Sequence, residues 1–263
     1  MKTHRIGLWA LPFIFAFFPA AAQAQMGTFR LYAGVAPTTY KISFDQNAPN
    51  FGGSLNYSNK TAKSSYTAAN IGLTWASPKG IYVDLAASQS LSATHDLWSS
   101  VPNAPPQDFS HDSYTLTGGY SHAFARGASI SGFGGFILSN TVLNAPNPPF
   151  AFGKDKFDSH GIFFGVGGGY PALGGQFSAS VAIAYMSGKW SDQGTPAYNN
   201  HADNTFGFSL GGGYTYKFSQ AWGVTGDIRL QRYNYDFATS SVTTAYQVSE
   251  KIASAGVKLS YQF

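Results

Sequence analysis

Two sets of side chains in this 263-residue chain could do chemistry. The first is Arg30, Asp84, Lys217, Asp227, Arg229 and Lys258, joined by the uncharged Tyr32, Asn70 and Gln231. All share one phase of segments in which polar and apolar residues alternate. Charges of both signs facing one enclosed space can pair with each other as filling, or line a selective path for small solutes. The second set is His95, His111, His160 and His201, each beside or two residues from an aspartate (Asp96, Asp112, Asp158 and Asp203). Imidazole titrates near neutrality, so such pairs suit metal binding or general acid–base work. Solvated, turn-forming polar residues have the same composition, and that is the expectation for these four. No catalytic residue, cofactor or metal site is assigned, and the four histidines stand only as the candidate metal ligands.

Other chemistry is poorly supplied. There is no His-Glu-x-x-His and no phosphate loop. Cysteine is absent, which excludes thiolate metal sites and cysteine nucleophiles. Glycine runs at 132–135, 165–169 and 211–213 suggest nucleotide binding only superficially, because they lie inside alternating segments with no helix to follow. Close strand packing and sheet curvature account for them.

The elements that position these residues follow from composition and period. Charged residues make up 11% of the chain against about 25% in an ordinary soluble domain, while aromatics reach 16%. That deficit calls for a surface that does not face water. Ten stretches alternate with a period of two: about 28–44, 64–77, 80–92, 111–124, 128–142, 158–170, 175–188, 204–218, 222–237 and 245–263. Tight turns, three of the four containing Gly or Pro, join every second pair, and long polar loops join the others. Lipid offers no partner to an unpaired backbone group, so strands in a membrane must close on themselves. The expected fold is therefore all-β: a closed antiparallel up-and-down transmembrane β-barrel of about ten strands, with short periplasmic turns and long extracellular loops.

Both ends of the chain carry export features. Lys2, His4 and Arg5 precede an apolar run from Ile6 to about Ala20, followed by Ala22-Gln23-Ala24. This is the arrangement of a cleaved secretory signal, which makes 1–24 the signal and 25–263 one barrel domain. Loss of Lys2 and Arg5 lowers the formal net charge from +4 to about +2, so nucleic acid is not an expected partner. At the other end, Ser254, Gly256, Leu259 and Tyr261 have polar, glycine and apolar residues at set spacings, closed by Phe263. This resembles the terminal signal that outer-membrane barrels show to their insertion machinery.

Across nearly the whole of 25–263 the pattern resembles that of small bacterial outer-membrane β-barrel proteins, the porin-like group in the broad sense. The resemblance implies a cell outer-membrane location, with lipid and lipopolysaccharide around the barrel. It also implies periplasmic chaperones and the barrel-assembly machinery as partners in biogenesis, and small solutes as the candidate cargo. Phe206, Phe208, Leu210, Tyr214, Tyr216 and Phe218, with Trp222, Val224, Ile228 and Leu230, would face lipid. Ten strands leave a narrow or plugged lumen, here crowded by the charged set. Asp158-Ser159-His160 is similar to the Asp-x-His element of the omptin proteases, which are ten-stranded outer-membrane barrels. The chain has no Asp-x-Asp to match that family's second pair, and the phase of Ile162, Phe164 and Val166 puts Asp158 and His160 outside. The functional expectation is a narrow porin-like channel or a structural surface barrel without enzymatic activity. The alternatives are an outer-membrane hydrolase, omptin-like or lipid A-modifying, and an adhesin acting through the loops.

Overall fold

The computed structural model describes residues 27–45, 58–91, 93–95, 107–144, 154–192, 198–238 and 245–263. The signal expected at 1–24 lies outside them. Eleven strands occur among the described residues: β1 Thr28–Phe44, β2 Thr61–Ala76, β3 Ile81–Ser90, β4 Ala93–His95, β5 Gln107–Ala123, β6 Ser129–Asn144, β7 Lys154–Ala172, β8 Gly175–Asp192, β9 Tyr198–Lys217, β10 Trp222–Phe237 and β11 Tyr246–Gln262. Except for β3 and β4, which both lie against β5, each pairs antiparallel with its neighbours in chain order, and β1 pairs with β11. The short β4 continues the line of β3 against β5. Gln89 opposes Asp112 and Ala93 opposes Phe109, so the register slips by one residue between them. The eleven strands thus form ten staves in a closed ring with no free sheet edge.

The short connections cluster at one end, here the turn end, where residues 27 and 263 also lie. Between Ala172 and Gly175 the chain reverses in two residues, Leu173 and Gly174, both in the left-handed region (φ 53° and 75°). That is the twist a two-residue hairpin requires. The Tyr214 hydroxyl donates to the Leu173 carbonyl at 2.8 Å and holds this non-glycine residue in place. The ring closes at the same end of the barrel, where Phe29 and Phe263 exchange backbone hydrogen bonds of 3.0 and 2.9 Å and stack their rings.

Most staves are longer than a bilayer demands. Those outside the broken third run from 16 to 20 residues, whereas a tilted spanning strand needs about 9–11. β2, β5, β7 and β9 begin at Thr61, Gln107, Lys154 and Tyr198, several residues before the expected starts. The surplus lies toward the long connections, the loop end, and there the polarity of the wall reverses. In the turn half the outward phase is apolar: Leu31, Val35, Ile71, Leu116, Ile162, Phe164, Val166, Ile183, Ile228 and Val257 are exposed. In the loop half the outward phase carries Lys41, Lys63, Ser65, Lys156, Asp158, Lys189 and Lys251.

The inward phase of the loop half is a dry core. Tyr40, Ile42, Phe44, Tyr66, Phe109, Leu143, Phe157, Met186, Trp190, Tyr233, Tyr235, Phe237, Tyr246 and Val248 are all buried and form one cluster. Rings meet across the lumen as well as along the wall. Phe44 on β1 lies edge-on to Trp190 on β8 at 5.2 Å, and Phe157 on β7 meets Tyr235 on β10 at 4.8 Å. A bulge in β9 keeps this alignment: the pairings with β8 and β10 both slip by one residue between Ala202 and Thr205 or Phe206. Ala202 and Thr205 are therefore both buried, which strict alternation would forbid.

Candidate functional site

Below the dry core, the turn half of the lumen is open. A cavity of about 860 Å³ occupies it and reaches the rim near Thr28, Ser121, Ser129 and Gln262. Its ceiling is Phe133, Ile137, Phe163, Ala184 and Tyr233, side chains at or beside the underside of the core. Side walls come from every stave, but the two sides differ. Five consecutive staves, β3-β2-β1-β11-β10, bring all the charged lining: Asp84, Arg30, Lys258, Asp227 and Arg229. The facing staves β5 to β9 contribute no charge. They present Ser, Thr and Gln side chains and the glycines 167–169 and 211–213.

Of the six charged residues expected in the lumen, five line this cavity. Lys217 points inward at the rim instead, where it donates to Gln262 Oε1 at 3.1 Å and borders a small side recess. Both carboxylates are engaged. Asp84 accepts from the Thr74 hydroxyl at 2.6 Å and from the Tyr32 hydroxyl at 3.2 Å. Asp227 lies 3.0 Å from the Lys258 ammonium, close enough for an ion pair although not aligned as a hydrogen bond. Lys258 also sits 5.8 Å from the centre of the Tyr32 ring. The charges therefore do not fill the lumen, as the sequence suggested. They stand on one side of a space, and the filling is aromatic and lies elsewhere.

The dry core contains a polar thread. Tyr235 donates to Glu250 at 3.0 Å, Ser139 and Ser159 are 2.7 Å apart, and His111 Nδ1 is 2.8 Å from the Thr141 hydroxyl. Glu250 Oε1 and the Tyr40 hydroxyl are buried without a hydrogen bond. Burial of a carboxylate among apolar rings is costly unless hydrogen bonds offset it, and here the offset is partial. Glu250 is not among the inward residues expected from the sequence, although it shares the inward phase of Lys258 on the same strand.

The histidines whose side chains are described do not gather. His111, expected at a loop, points inward with 6% exposure and packs 5.1 Å from the Tyr40 ring. It is a core residue because β5 starts at Gln107, which extends the inward alternation to that position. His160 lies on the outer wall against Phe136, at 6.5 Å between ring centres. Asp158 is outside too, bound to Asn140 and to Lys156 at 2.7 Å. His201 pairs across β8 with Lys189 and His160 with Ser187, so β8 separates them and about two strand spacings, near 10 Å, lie between. His95 is in β4, where only its backbone is described. Asp96 and the side chain of Asp203 lie outside the described residues. Gly207-Phe208-Ser209-Leu210-Gly211 has the spacing of a hydrolase nucleophile elbow, but it runs through β9 with partners on both sides. Ser209 therefore lacks the sharp turn that exposes such a nucleophile.

Four of the five residues of the terminal pattern also have structural roles. A Cβ on Gly256 would come within 3.2 Å of Ala36 Cβ and 3.3 Å of Asp227 Oδ1. Leu259 and Tyr261 face outward, and Tyr261 packs on Trp222 at 4.9 Å in the outward aromatic row of the turn end. Phe263 closes the ring.

No protein-family model matches the chain, and no curated protein sequence does. Solved structures do resemble it. The outer membrane protease OmpT from Escherichia coli superposes with a TM-score of 0.61 at 10% identity, over 90% of this chain and 97% of that one. The translocator domain of the autotransporter NalP from Neisseria meningitidis gives 0.47 at 11% identity, over 90% and 88%. Neisserial surface protein A gives 0.32 at 12% identity, over 88% and 97%. The fold is thus that of an outer-membrane β-barrel.

Proposed function

We propose that the protein resides in the outer membrane, turn end toward the periplasm, and works as a closed, non-enzymatic surface barrel rather than as an open porin. One observation carries the reading: the loop half of the lumen is filled by a continuous apolar core whose members are almost fully buried. A solute moving along the axis would have to displace Trp190, Phe157, Tyr235 and Phe44 together. Rings packed at interior density do not yield to a hydrated ion without a large part of the core opening. The polar outward phase of the same half supports an assembly that stands above the membrane and carries the long connections into water.

The experiment is conductance of the refolded protein in a planar bilayer. The expected result is silence in small electrolytes, with steps appearing once Trp190 and Phe157 are both replaced by alanine. Steady conductance by the unaltered protein overturns the closed reading.

The likeness to OmpT raises a protease reading at the level of fold. Against it stand the outward direction of Asp158 and His160 and the burial of His111 in the core. Cleavage of a peptide mixture by the purified protein, lost in His160→Ala, would overturn the non-enzymatic part of the proposal.

A further inference from the structure

The cavity in the turn half has an electrostatic imbalance that its internal pairing does not remove. Two acids and three bases line it, and both acids are already engaged, Asp84 by two hydroxyls and Asp227 by Lys258. Arg229 has neither a hydrogen bond nor an ion-pair partner among the described residues. Its partners in register are Gly211 on β9 and Ser254 on β11, so neither neighbour offers a carboxylate, and Gly211 has no side chain to cover it. Arg30 has only a 3.5 Å contact with the Thr74 hydroxyl. Both arginines line the same cavity, with Tyr32 among the residues of its wall.

A guanidinium carries five donors in a planar fork that matches a carboxylate or phosphate two bonds at a time. Both arginines are exposed to the cavity, and a space walled by the barrel screens an arriving anion from them less than open water does. The opposite wall supplies hydroxyl groups and glycine backbone without any competing charge. The volume, about 860 Å³, is within the range of about 300–1,000 Å³ usual for small-molecule sites, so there is room for an organic anion as well as a bare ion.

We propose that the cavity is a binding site, open at the turn end, for a small anion bearing a carboxylate or phosphate group, with Arg229 as the principal contact and Arg30 as the second. Asp84 and Asp227 hold Tyr32, Thr74 and Lys258 in place and leave the two arginines to the ligand. The site is reached from the turn end alone, so it does not depend on whether the loop half conducts.

Calorimetric titration of the refolded protein in an uncharged maltoside detergent tests this, with inorganic phosphate, citrate and, as a cation of similar bulk, choline as probes. The expected result is saturable binding of phosphate or citrate but not choline, weakening as ionic strength rises. Binding by phosphate alone or by citrate alone identifies which oxyanion the site takes. Arg229→Gln should weaken binding at least tenfold and Arg229→Lys by less, while Lys217→Gln at the rim should stay within twofold. Unchanged thermal unfolding of the Arg229 variants separates lost binding from lost fold. Equal affinity in Arg229→Gln, equal binding of choline, or no saturable heat with either anion overturns the proposal.

Discussion

The two halves of this barrel solve opposite solvent problems with the same alternating strands. In the turn half apolar side chains point out and polar ones in, so the wall is sealed against hydrocarbon and the lumen holds an open polar cavity. In the loop half the same strands carry lysine, serine and aspartate outside and tyrosine, phenylalanine and tryptophan inside, as a water-soluble barrel would. β11 shows both: Val257, Leu259 and Tyr261 are exposed near its end, while Tyr246, Val248 and Glu250 are buried near its start. The difference teaches that a period of two says which residues share a face, and only their polarity says what lies beyond that face.

That contrast can be broken by exchanging demands between the halves. The largest effect is expected for Val248→Asp, which places an unpaired charge at a position with no exposure in the dry core. Roughly 5 kcal/mol should be lost. Thr225→Asp, inward in the polar half, should stay within about 1 kcal/mol. Urea unfolding of both variants in the same lipid decides it, and equal losses would mean that the lumen is not divided. Trp190→Ala, also in the core, should cost about 4 kcal/mol by removing the side chain that Phe44 and Phe157 pack against. A loss under about 1 kcal/mol would mark that core as loosely packed.

The outward faces give the third comparison. Val257→Lys puts an ammonium into the apolar band and should cost about 3 kcal/mol in a bilayer. Ser65→Lys, on the outward face of the loop half, should cost a few tenths at most. A similar penalty at both sites would extend the lipid band up to β2's loop end. The smallest effect is expected for Asp158→Asn. Its partner Lys156 and the aspartate are each more than a third exposed, and such pairs are worth under about 1 kcal/mol. A larger loss would imply that the outer wall around His160 is a built site after all.

The turn half was legible in the sequence for physical reasons that the loop half lacks. Apolar residues at every second position, aromatics beside the turns and Gly or Pro in the reversals all point the same way there. The charges on the other phase could be identified as inward before any coordinates, and so could the outward direction of Asp158 and His160. At the loop ends of β2, β5, β7, β8 and β9 the apolar residues alternate with polar ones and the average over each stretch looks like loop, whereas β1, β10 and β11 were legible to their loop ends. Trp190, the largest side chain of the core, falls in a stretch read as loop for that reason, and β9 was started six residues late, at 204 instead of Tyr198. His111 was misplaced likewise, because nothing local distinguishes a polar residue at a strand's wet end from one entering a core through a hydrogen bond to Thr141. The bulge in β9 left no local mark, since its cause is the fit of Ala202 and Thr205 to partners far along the chain. The cavity is not legible in the sequence, because the phase of a charged residue says which interior it faces and not whether it fills that interior.

The closure between Phe29 and Phe263 has a consequence in time rather than in space. The strands that meet there are the first and the last in chain order among the described ones, so their pairing has the greatest sequence separation of any described pair. Until β11 arrives, β1 exposes a full row of unpaired amides and carbonyls, and every partly assembled sheet has two such edges. Contacts of that separation form slowly, and an open edge will accept a strand from any other chain within reach. The ring therefore cannot close until β11 is in place, and the interval before closure is when the chain is most exposed to aggregation.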